Sequence, residues 1–228
     1  PPALALGSGT SHTLAWSLDG GTNWIPLGKT VFTTAAYTAL WTGTYWLAGG
    51  EGTYALALSS NGTRWSGISP TPFTRCWGIA WNGSLFVAVG EGTTTIATSA
   101  DGLTWTAATG TGVFGTAGYA VQWNGSLWVA AGQSAATSLS YSADGLTWTG
   151  SASSKTVFGT AGYGLAWNGA IWVAMGQGAT TTIATSANGT SWTAVTPHPF
   201  GGGATSCSGL IQSLFYLPLG GSPRVAFP

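Results

Sequence analysis

The chain has 228 residues, a formal net charge of zero at pH 7 and only 4% charged residues. Nucleic-acid phosphates are bound by several clustered cations, and the five Lys and Arg residues are scattered along the chain, so a nucleic-acid partner is excluded. No apolar run approaches the about 20 residues of a membrane-spanning helix, so no membrane insertion is predicted. The weak charge repulsion between molecules favours self-assembly or packing into a larger complex.

The N-terminal segment predicts three short strands, over residues 3–6, 12–17 and 24–26. The sequence begins with Pro1 and not with Met, so we expect a processed N-terminus or a longer parent chain. The third strand follows the first of five similar motifs, each of which begins with Ser and ends with Trp. This motif therefore marks the repeat unit of the chain.

The five motifs end at tryptophans that lie 41, 40, 43 and 44 residues apart. Short strands at a period near forty predict a propeller or solenoid, because one such unit cannot bury its own apolar face. The five copies of the motif are Ser17–Trp24, Ser59–Trp65, Ser99–Trp105, Ser142–Trp148 and Ser186–Trp192.

One repeat illustrates the predicted strands. Residues 163–167 alternate large and small side chains as a half-buried strand does, and Asn168-Gly169 predicts a two-residue hairpin turn with positive φ. A second strand over 170–175, a turn at 176–178 and a third strand over 181–186 follow. The motif then turns into a fourth strand. Four antiparallel strands in about forty residues are typical of a β-propeller blade.

The whole chain is therefore predicted to be one all-β propeller domain. Complete blades are expected at residues 34–74, 75–115, 116–159 and 160–201. Residues 1–33 supply three strands of a fifth blade, and 202–212 supply its first strand, which closes the ring without an open sheet edge. Residues 213–228 resemble two further strands, so a sixth, incomplete blade is the alternative. Cys76 and Cys207 open strands of non-adjacent blades, and no disulfide is expected between them.

The motif resembles the Asp-box, Ser-x-Asp-x-Gly-x-x-Trp, of the bacterial-neuraminidase-type repeats found in sialidases and in many non-enzymatic propellers. Ser17–Trp24 has the full spacing, and the other four copies are one residue shorter. The resemblance implies a structural role, in which the acidic or amide side chain accepts backbone N–H bonds and the Trp packs under the turn. Asn in place of Asp keeps the acceptor but is unsuited to metal binding or acid catalysis. The residues with this predicted role are Asp19, Asn61, Asp101, Asp144, Asn188, Trp24, Trp65, Trp105, Trp148 and Trp192.

Four Asn-x-Ser/Thr sequons begin at Asn61, Asn82, Asn124 and Asn188. All four lie at Asn-Gly turns, where turn chemistry alone favours asparagine. Glycosylation and turn chemistry therefore both remain open interpretations of these asparagines.

Polar side chains recur at one position of the repeat, in Gly-rich turns on the face opposite the Asp-boxes. Glu51, Glu91, Gln133 and Gln177 share this position, and Arg75 lies on the same face. Propeller ligands bind at such a face, so these five residues are candidate ligand-binding residues; simple solvation of the turns is the alternative. Trp16 and Tyr141 are further candidates, because the strand position that they occupy holds Thr in two other repeats. Each is interpreted as a sugar-stacking platform or as a local packing variation.

No catalytic residue, metal site or cofactor is predicted. A sialidase would need an arginine triad, but Arg64 lies on the Asp-box face, so Arg64, Arg75 and Arg224 cannot assemble one. Glu51 and Glu91 are the only carboxyl pair on one face that a glycosidase could use. We therefore expect a non-enzymatic, lectin-like recognition module at an extracellular or particle surface, with a glycan or another protein's surface as partner. The alternatives are a structural subunit of an appendage, fibre or virion, and a glycoside hydrolase.

Overall fold

A computed structural model describes residues 3–178 and 181–196 of the chain. The chain divides into two compact units, Pro1–Ala108 and Thr109–Pro228. Regular structure in the described ranges consists of antiparallel β-strands and one short helix. The all-β prediction is confirmed.

The first unit opens with a three-stranded antiparallel sheet in the order β1-β2-β3. Its strands are β1 (Ala3–Leu6), β2 (Leu14–Ser17) and β3 (Ile25–Pro26). The three strands predicted for the N-terminal segment are confirmed, with β2 starting two residues later than expected. The predicted completing strand at 202–212 lies outside the described residues, as do Cys207 and residues 213–228.

Two four-stranded repeats complete the first unit, and within each repeat consecutive strands pair antiparallel. The eight strands are β4 (Ala35–Trp41), β5 (Trp46–Glu51), β6 (Leu56–Ser59), β7 (Ser66–Gly67), β8 (Phe73–Trp81), β9 (Phe86–Gly92), β10 (Ile96–Ser99) and β11 (Thr106–Ala107). β8 begins at Phe73, ahead of the predicted boundary at 74/75, because Phe73 already pairs with Gly92. A single residue pair, Glu51 opposite Arg75, joins the two repeats into one sheet.

The second unit repeats this arrangement. Its strands are β12 (Ala117–Trp123), β13 (Trp128–Gln133), β14 (Leu139–Ser142), β15 (Thr149–Gly150), β16 (Ala161–Trp167), β17 (Trp172–Gln177), β18 (Ile183–Ser186) and β19 (Thr193–Ala194). Gln133 opposite Ala161 joins its two repeats. A short helix, α1 (Ser154–Val157), lies in the connection between them and was not expected from the sequence. The backbone carbonyl of Ser154 accepts a 2.9 Å hydrogen bond from the buried Ser138 hydroxyl. This bond connects α1 to the residue that precedes β14.

The first strand of every four-stranded repeat contains a β-bulge at an aromatic residue. The register shifts across Tyr37, Trp77, Tyr119 and Tyr163, which are the extra residues on their strands. A bulge bends the strand and changes the direction of the extra side chain. The same ring is therefore redirected at the same place in each repeat.

The hairpin turns between the first and second strands differ in one detail from the prediction. The backbone N–H of Asn168 donates to the carbonyl of Ile171, so the two loop residues are Gly169 and Ala170 and not Asn168-Gly169. The positive φ falls on Gly169, at +96°. The Asn168 side-chain oxygen accepts N–H bonds from Ala170 and Ile171, which explains why asparagine precedes the loop.

The five Ser-to-Trp motifs form turns with one hydrogen-bond pattern. In the third copy, Asp101 Oδ1 accepts backbone N–H bonds from Leu103 and Thr104 at 2.8 and 2.7 Å. The Ser99 hydroxyl accepts the Gly102 N–H at 2.8 Å and donates to Asp101. Asn61 and Asn188 accept the equivalent pair of N–H bonds, so the carboxylate charge is not needed for the turn. These five segments are called Ser-Asx-Gly turns below.

The tryptophan that ends each turn donates its indole N–H to the turn glycine in four of the five copies. Trp148 and Trp192 are buried, as packing under the turn requires. Trp24 differs: its turn is one residue longer, and its side chain is 43% exposed. The predicted packing role is therefore not matched at Trp24.

Apolar side chains of each unit form its core. In the first unit, Leu47, Leu56 and Phe86 are fully or almost fully buried, and in the second unit Trp172, Leu139 and Phe158 are. Among the described residues, no helix has the length and apolar character required to cross a lipid bilayer.

Candidate functional site

A ring-to-oxygen hydrogen bond recurs in all four complete repeats. Each bulged aromatic donates to the polar residue fourteen positions later, at the end of the second strand. The four bonds are Tyr37 to Glu51 at 2.8 Å, Trp77 to Glu91 at 3.2 Å, Tyr119 to Gln133 at 3.0 Å and Tyr163 to Gln177 at 2.9 Å. Each predicted acid or amide is therefore held against a half-buried ring.

Arg75 changes this arrangement in the first unit. Each acid or amide lies opposite the first-strand residue two positions before its ring. That residue is a buried alanine in three repeats, at Ala35, Ala117 and Ala161, and it is Arg75 in the fourth. The arginine therefore departs from the repeat at a position where packing elsewhere requires only a methyl group.

The Arg75 guanidinium binds both carboxylates of the first unit. Its Nε lies 2.7 Å from Glu51 Oε2 and its Nη2 lies 2.9 Å from Glu51 Oε1, so this pair is bidentate. Its Nη1 lies 3.0 Å from Glu91 Oε2. Glu51 belongs to β5, whereas Arg75 and Glu91 belong to β8 and β9, so the arginine crosses from one repeat to the next.

Two aromatic rings complete this site. The rings of Tyr37 and Trp77 lie 4.1 Å apart at their centroids, with an interplanar angle of 30°. The side chains of Arg75, Glu51 and Glu91 are 39%, 21% and 29% exposed. We call Tyr37, Glu51, Arg75, Trp77 and Glu91 the Arg75 cluster; it combines paired aromatic rings with charged groups that solvent can reach.

Hydrogen bonds and burial in the cluster shift the pKa values of Glu51, Arg75 and Tyr37. Hydrogen bonds from Arg75 lower the pKa of Glu51, with a further contribution from Tyr37, and Glu51 in turn raises the pKa of Arg75. Burial raises the pKa of Tyr37 to about 12, and the hydrogen bond to Glu51 adds to this shift. At neutral pH, Glu51 is thus an acceptor and Tyr37 a donor. Two carboxylates and one guanidinium give the cluster a formal charge of minus one.

The second unit has an uncharged counterpart. Gln133 and Gln177 accept from Tyr119 and Tyr163, whose rings lie 5.3 Å apart. Ala161 occupies the position equivalent to Arg75. The structure therefore brings together Glu51, Arg75 and Glu91 in one unit and places Gln133 and Gln177 in the other.

The two other predicted ligand-binding residues lie elsewhere. Trp16 is only 5% exposed, and its ring meets that of Trp46 edge-on at 6.0 Å. Its face is not available to a sugar, so the packing interpretation applies and its candidacy as a stacking platform is corrected. Tyr141 is half-buried against the core of the second unit, on β14 and away from the Gln residues' strand ends.

The aromatic members of the site were not among the predicted ligand-binding residues. The signal was present, because Tyr or Trp occurs fourteen residues before each acid or amide. An aromatic residue that recurs on a predicted strand is, however, equally typical of packing. A β-bulge directs these rings towards the polar side chains, and the hydrophobic pattern of the sequence does not reveal where a bulge lies.

Residues 3–178 and 181–196 offer little else that could bind a metal ion or a ligand. No group of His, Cys, Asp and Glu in these ranges has an arrangement that could hold a metal ion. A shallow groove of about 400 Å³ lies at the end of the second unit and contains none of the predicted ligand-binding residues. Its lining consists of Ile171, Thr185, Ser186, Ala187, Asn188, Ser191 and Thr193.

No protein-family model matches the chain, and no curated protein matches it. Solved structures, in contrast, do match the chain. An ancestral GH74 enzyme superimposes with a TM-score of 0.63 at 18% identity, covering 83% of this chain and 29% of that chain. A GH74 enzyme of Niastella koreensis superimposes with a TM-score of 0.50 at 17% identity, covering 87% of this chain and 39% of that one. The chain thus spans well under half the length of either enzyme.

GH74 enzymes are β-propellers, so the likeness supports a propeller-like all-β fold for this chain. At these identities the likeness concerns the fold alone. Function depends on the residues of the site and not on the fold alone.

Proposed function

We propose that this protein is a non-catalytic recognition module that binds glycans through the Arg75 cluster. The observation that carries the proposal is the combination of Arg75, two carboxylates and two rings at solvent-accessible positions of neighbouring repeats. Arginine stands there where three other repeats have a buried alanine, so scaffold packing does not account for it.

The chemistry of the cluster suits a saccharide. Sugar hydroxyls both donate and accept hydrogen bonds, and the cluster offers carboxylate acceptors beside the two guanidinium N–H groups of Arg75 that do not bond to Glu51 or Glu91. Aromatic rings such as Tyr37 and Trp77 add apolar contact area for the C–H faces of sugar rings. The fold likeness to GH74 enzymes, which are glycoside hydrolases, agrees with a carbohydrate ligand.

A binding role fits the charges better than a hydrolytic one. Glycosidases pair a carboxylate with a carboxylic acid whose pKa is raised so that it can protonate the leaving group. In the Arg75 cluster the guanidinium contacts both carboxylates, and it lowers the pKa of Glu51. Glycoside hydrolysis is therefore the less favoured alternative.

We also propose that the propeller has five four-stranded blades and that its Ser-Asx-Gly turns are Asp-boxes. The consecutive antiparallel pairing of four strands in each repeat supports the blade assignment. The paired N–H bonds to Asp101, Asn61 and their equivalents support the Asp-box assignment. Six blades are the alternative.

The second candidate function is a structural subunit of a surface appendage, fibre or virion. The low content of charged residues favours it, because an almost uncharged surface resists association weakly. The two functions are compatible in a module that attaches a larger assembly to a glycan-bearing surface. An extracellular or particle-surface location is part of this proposal.

A glycan array tests the proposal. Wild type is expected to bind a defined set of oligosaccharides, Arg75→Ala is expected to lose that binding, and Gln133→Ala in the uncharged counterpart is expected to retain it. Bound oligosaccharides are then incubated with the protein and assayed for new reducing ends. A blank array with an oligomeric or filamentous protein would support the structural subunit, and release of reducing ends that Glu91→Gln abolishes would support the hydrolase.

A further inference from the structure

We infer that the Arg75 cluster selects uncharged saccharides and rejects those that carry carboxylates. This inference rests on the proposed glycan binding and specifies its ligand class. The inference follows from the hydrogen bonds and ion pairs that the five residues already form with one another.

Few N–H groups of Arg75 remain available to bind an acidic sugar. A guanidinium has five N–H groups, and three of those of Arg75 already bond to Glu51 and Glu91. Recognition of a ligand carboxylate by arginine usually takes a bidentate fork, and Glu51 occupies one such fork here. A hydroxyl group needs only one remaining N–H and can donate its own proton to a nearby carboxylate.

The negative formal charge of the cluster also disfavours an acidic sugar. An additional carboxylate entering the cluster would face two carboxylates and one cation, which is a net repulsion at short range. Rejection of a charged competitor through an unpaired like charge is a common source of specificity. A neutral saccharide meets no such penalty and can bridge the exposed edges of Arg75 and Glu91.

The second unit shows which substitution removes the charge and keeps the geometry. Gln133 and Gln177 occupy the positions of Glu51 and Glu91 and accept the same ring hydrogen bonds at 3.0 and 2.9 Å. Glu-to-Gln substitution is thus already tolerated at this position of the fold. Glu91→Gln brings the formal charge of the cluster from minus one to zero, and Glu51→Gln with Glu91→Gln brings it to plus one.

The test uses matched pairs of hexasaccharides that differ only in the oxidation state of C6, for example hexagalacturonate and its carboxyl-reduced counterpart, over several linkages. Affinities are measured by titration calorimetry at low ionic strength, where charge effects are largest. Wild type is expected to bind the neutral member of a pair at least about tenfold more tightly. This ratio is expected to fall in Glu91→Gln and to vanish or invert in the double variant.

Asn61→Asp serves as the control for a negative charge added outside the cluster, because Asp101 already occupies the equivalent position of another Ser-Asx-Gly turn, and it is expected to leave the ratio unchanged. Equal or tighter binding of uronates by wild type would overturn the inference while leaving glycan binding intact. A ratio that does not respond to the Glu variants, in proteins with unchanged melting temperatures, would overturn it as well. Absence of binding to every pair would remove the proposed function and the inference together.

Discussion

The indole ring of Trp16 lies directly against Gly62, the glycine of the next repeat's Ser-Asx-Gly turn. A Cβ atom on Gly62 would overlap the six-membered ring of the indole. The φ of Gly62 is +77°, in the left-handed region that favours glycine. The contact explains why Trp16 is buried, and it shows that a Ser-Asx-Gly turn also packs against its preceding repeat.

Gly62→Ala is expected to destabilise the protein by about 2–4 kcal/mol, since left-handed backbone strain and overpacking against Trp16 add together. Denaturant unfolding measures the change. Gly83→Ala is the matched control, because Gly83 also has positive φ, at +104°, but nothing lies within 4 Å of its added Cβ. Equal effects of the two substitutions would show that the contact with Trp16 contributes nothing.

The Ser hydroxyl of a Ser-Asx-Gly turn is expected to contribute more to stability than a Ser hydroxyl of an exposed Asn-Gly turn. Ser99 is buried, and its hydroxyl is the acceptor for the Gly102 N–H. Ser99→Ala leaves that buried donor without a partner, which costs about 1–3 kcal/mol. Ser126→Ala, which removes an exposed hydroxyl that bonds only to Asn124, is expected to change the unfolding free energy little. The reverse order of the two effects in thermal unfolding would contradict this assignment.

The turn aspartates are expected to make stability depend on pH in acid. Backbone hydrogen bonds from Thr104 and Leu103 lower the pKa of Asp101 from 3.8 to about 2, and similar bonds lower the pKa of Asp19 and Asp144. Because the folded-state pKa values are depressed, this contribution is complete above about pH 4 and is lost as the pH falls through about 2. The side chains are exposed, so each contribution is small.

The triple variant Asp19→Asn, Asp101→Asn, Asp144→Asn tests the pH dependence. Asparagine already accepts the same N–H bonds at Asn61 and Asn188, so the variant is expected to fold with a slightly lower melting temperature at pH 7. The difference from wild type is expected to shrink as the pH falls below about 4 and to become smallest below about pH 2. A constant difference across this range would show that the carboxylate charges do not stabilise the turns.

The repeated elements of the fold were predictable because their signals are local. Gly and Asn at the turns, and Ser and Trp around Asp101, each satisfy a requirement within a few residues, so their recurrence revealed four strands per repeat. Details that depend on atoms far along the chain were not predictable. The burial of Trp16 requires Gly62 of the next repeat, and α1 is held by a hydrogen bond from Ser138.

The candidate site was predictable in part for the same reason. Glu51 and Glu91 stood out because acids replace the Gln of other repeats, and Arg75 was placed on their face by connectivity. The bidentate contact between Arg75 and Glu51 spans 24 residues and two strands, so no local pattern encodes it. Tyr37 and Trp77 were hidden because bulges, which interrupt the alternation of a strand, direct them to the site.

The most direct test of glycan binding at the Arg75 cluster is a nuclear magnetic resonance titration that follows the indole N–H of Trp77. This N–H donates to Glu91 at 3.2 Å, and its resonance is assigned by its absence in Trp77→Phe. On titration with the neutral hexasaccharides, we predict a saturable shift of the Trp77 resonance that Arg75→Ala abolishes. Saturable shifts confined to other tryptophans, or no shift at all, would contradict the account.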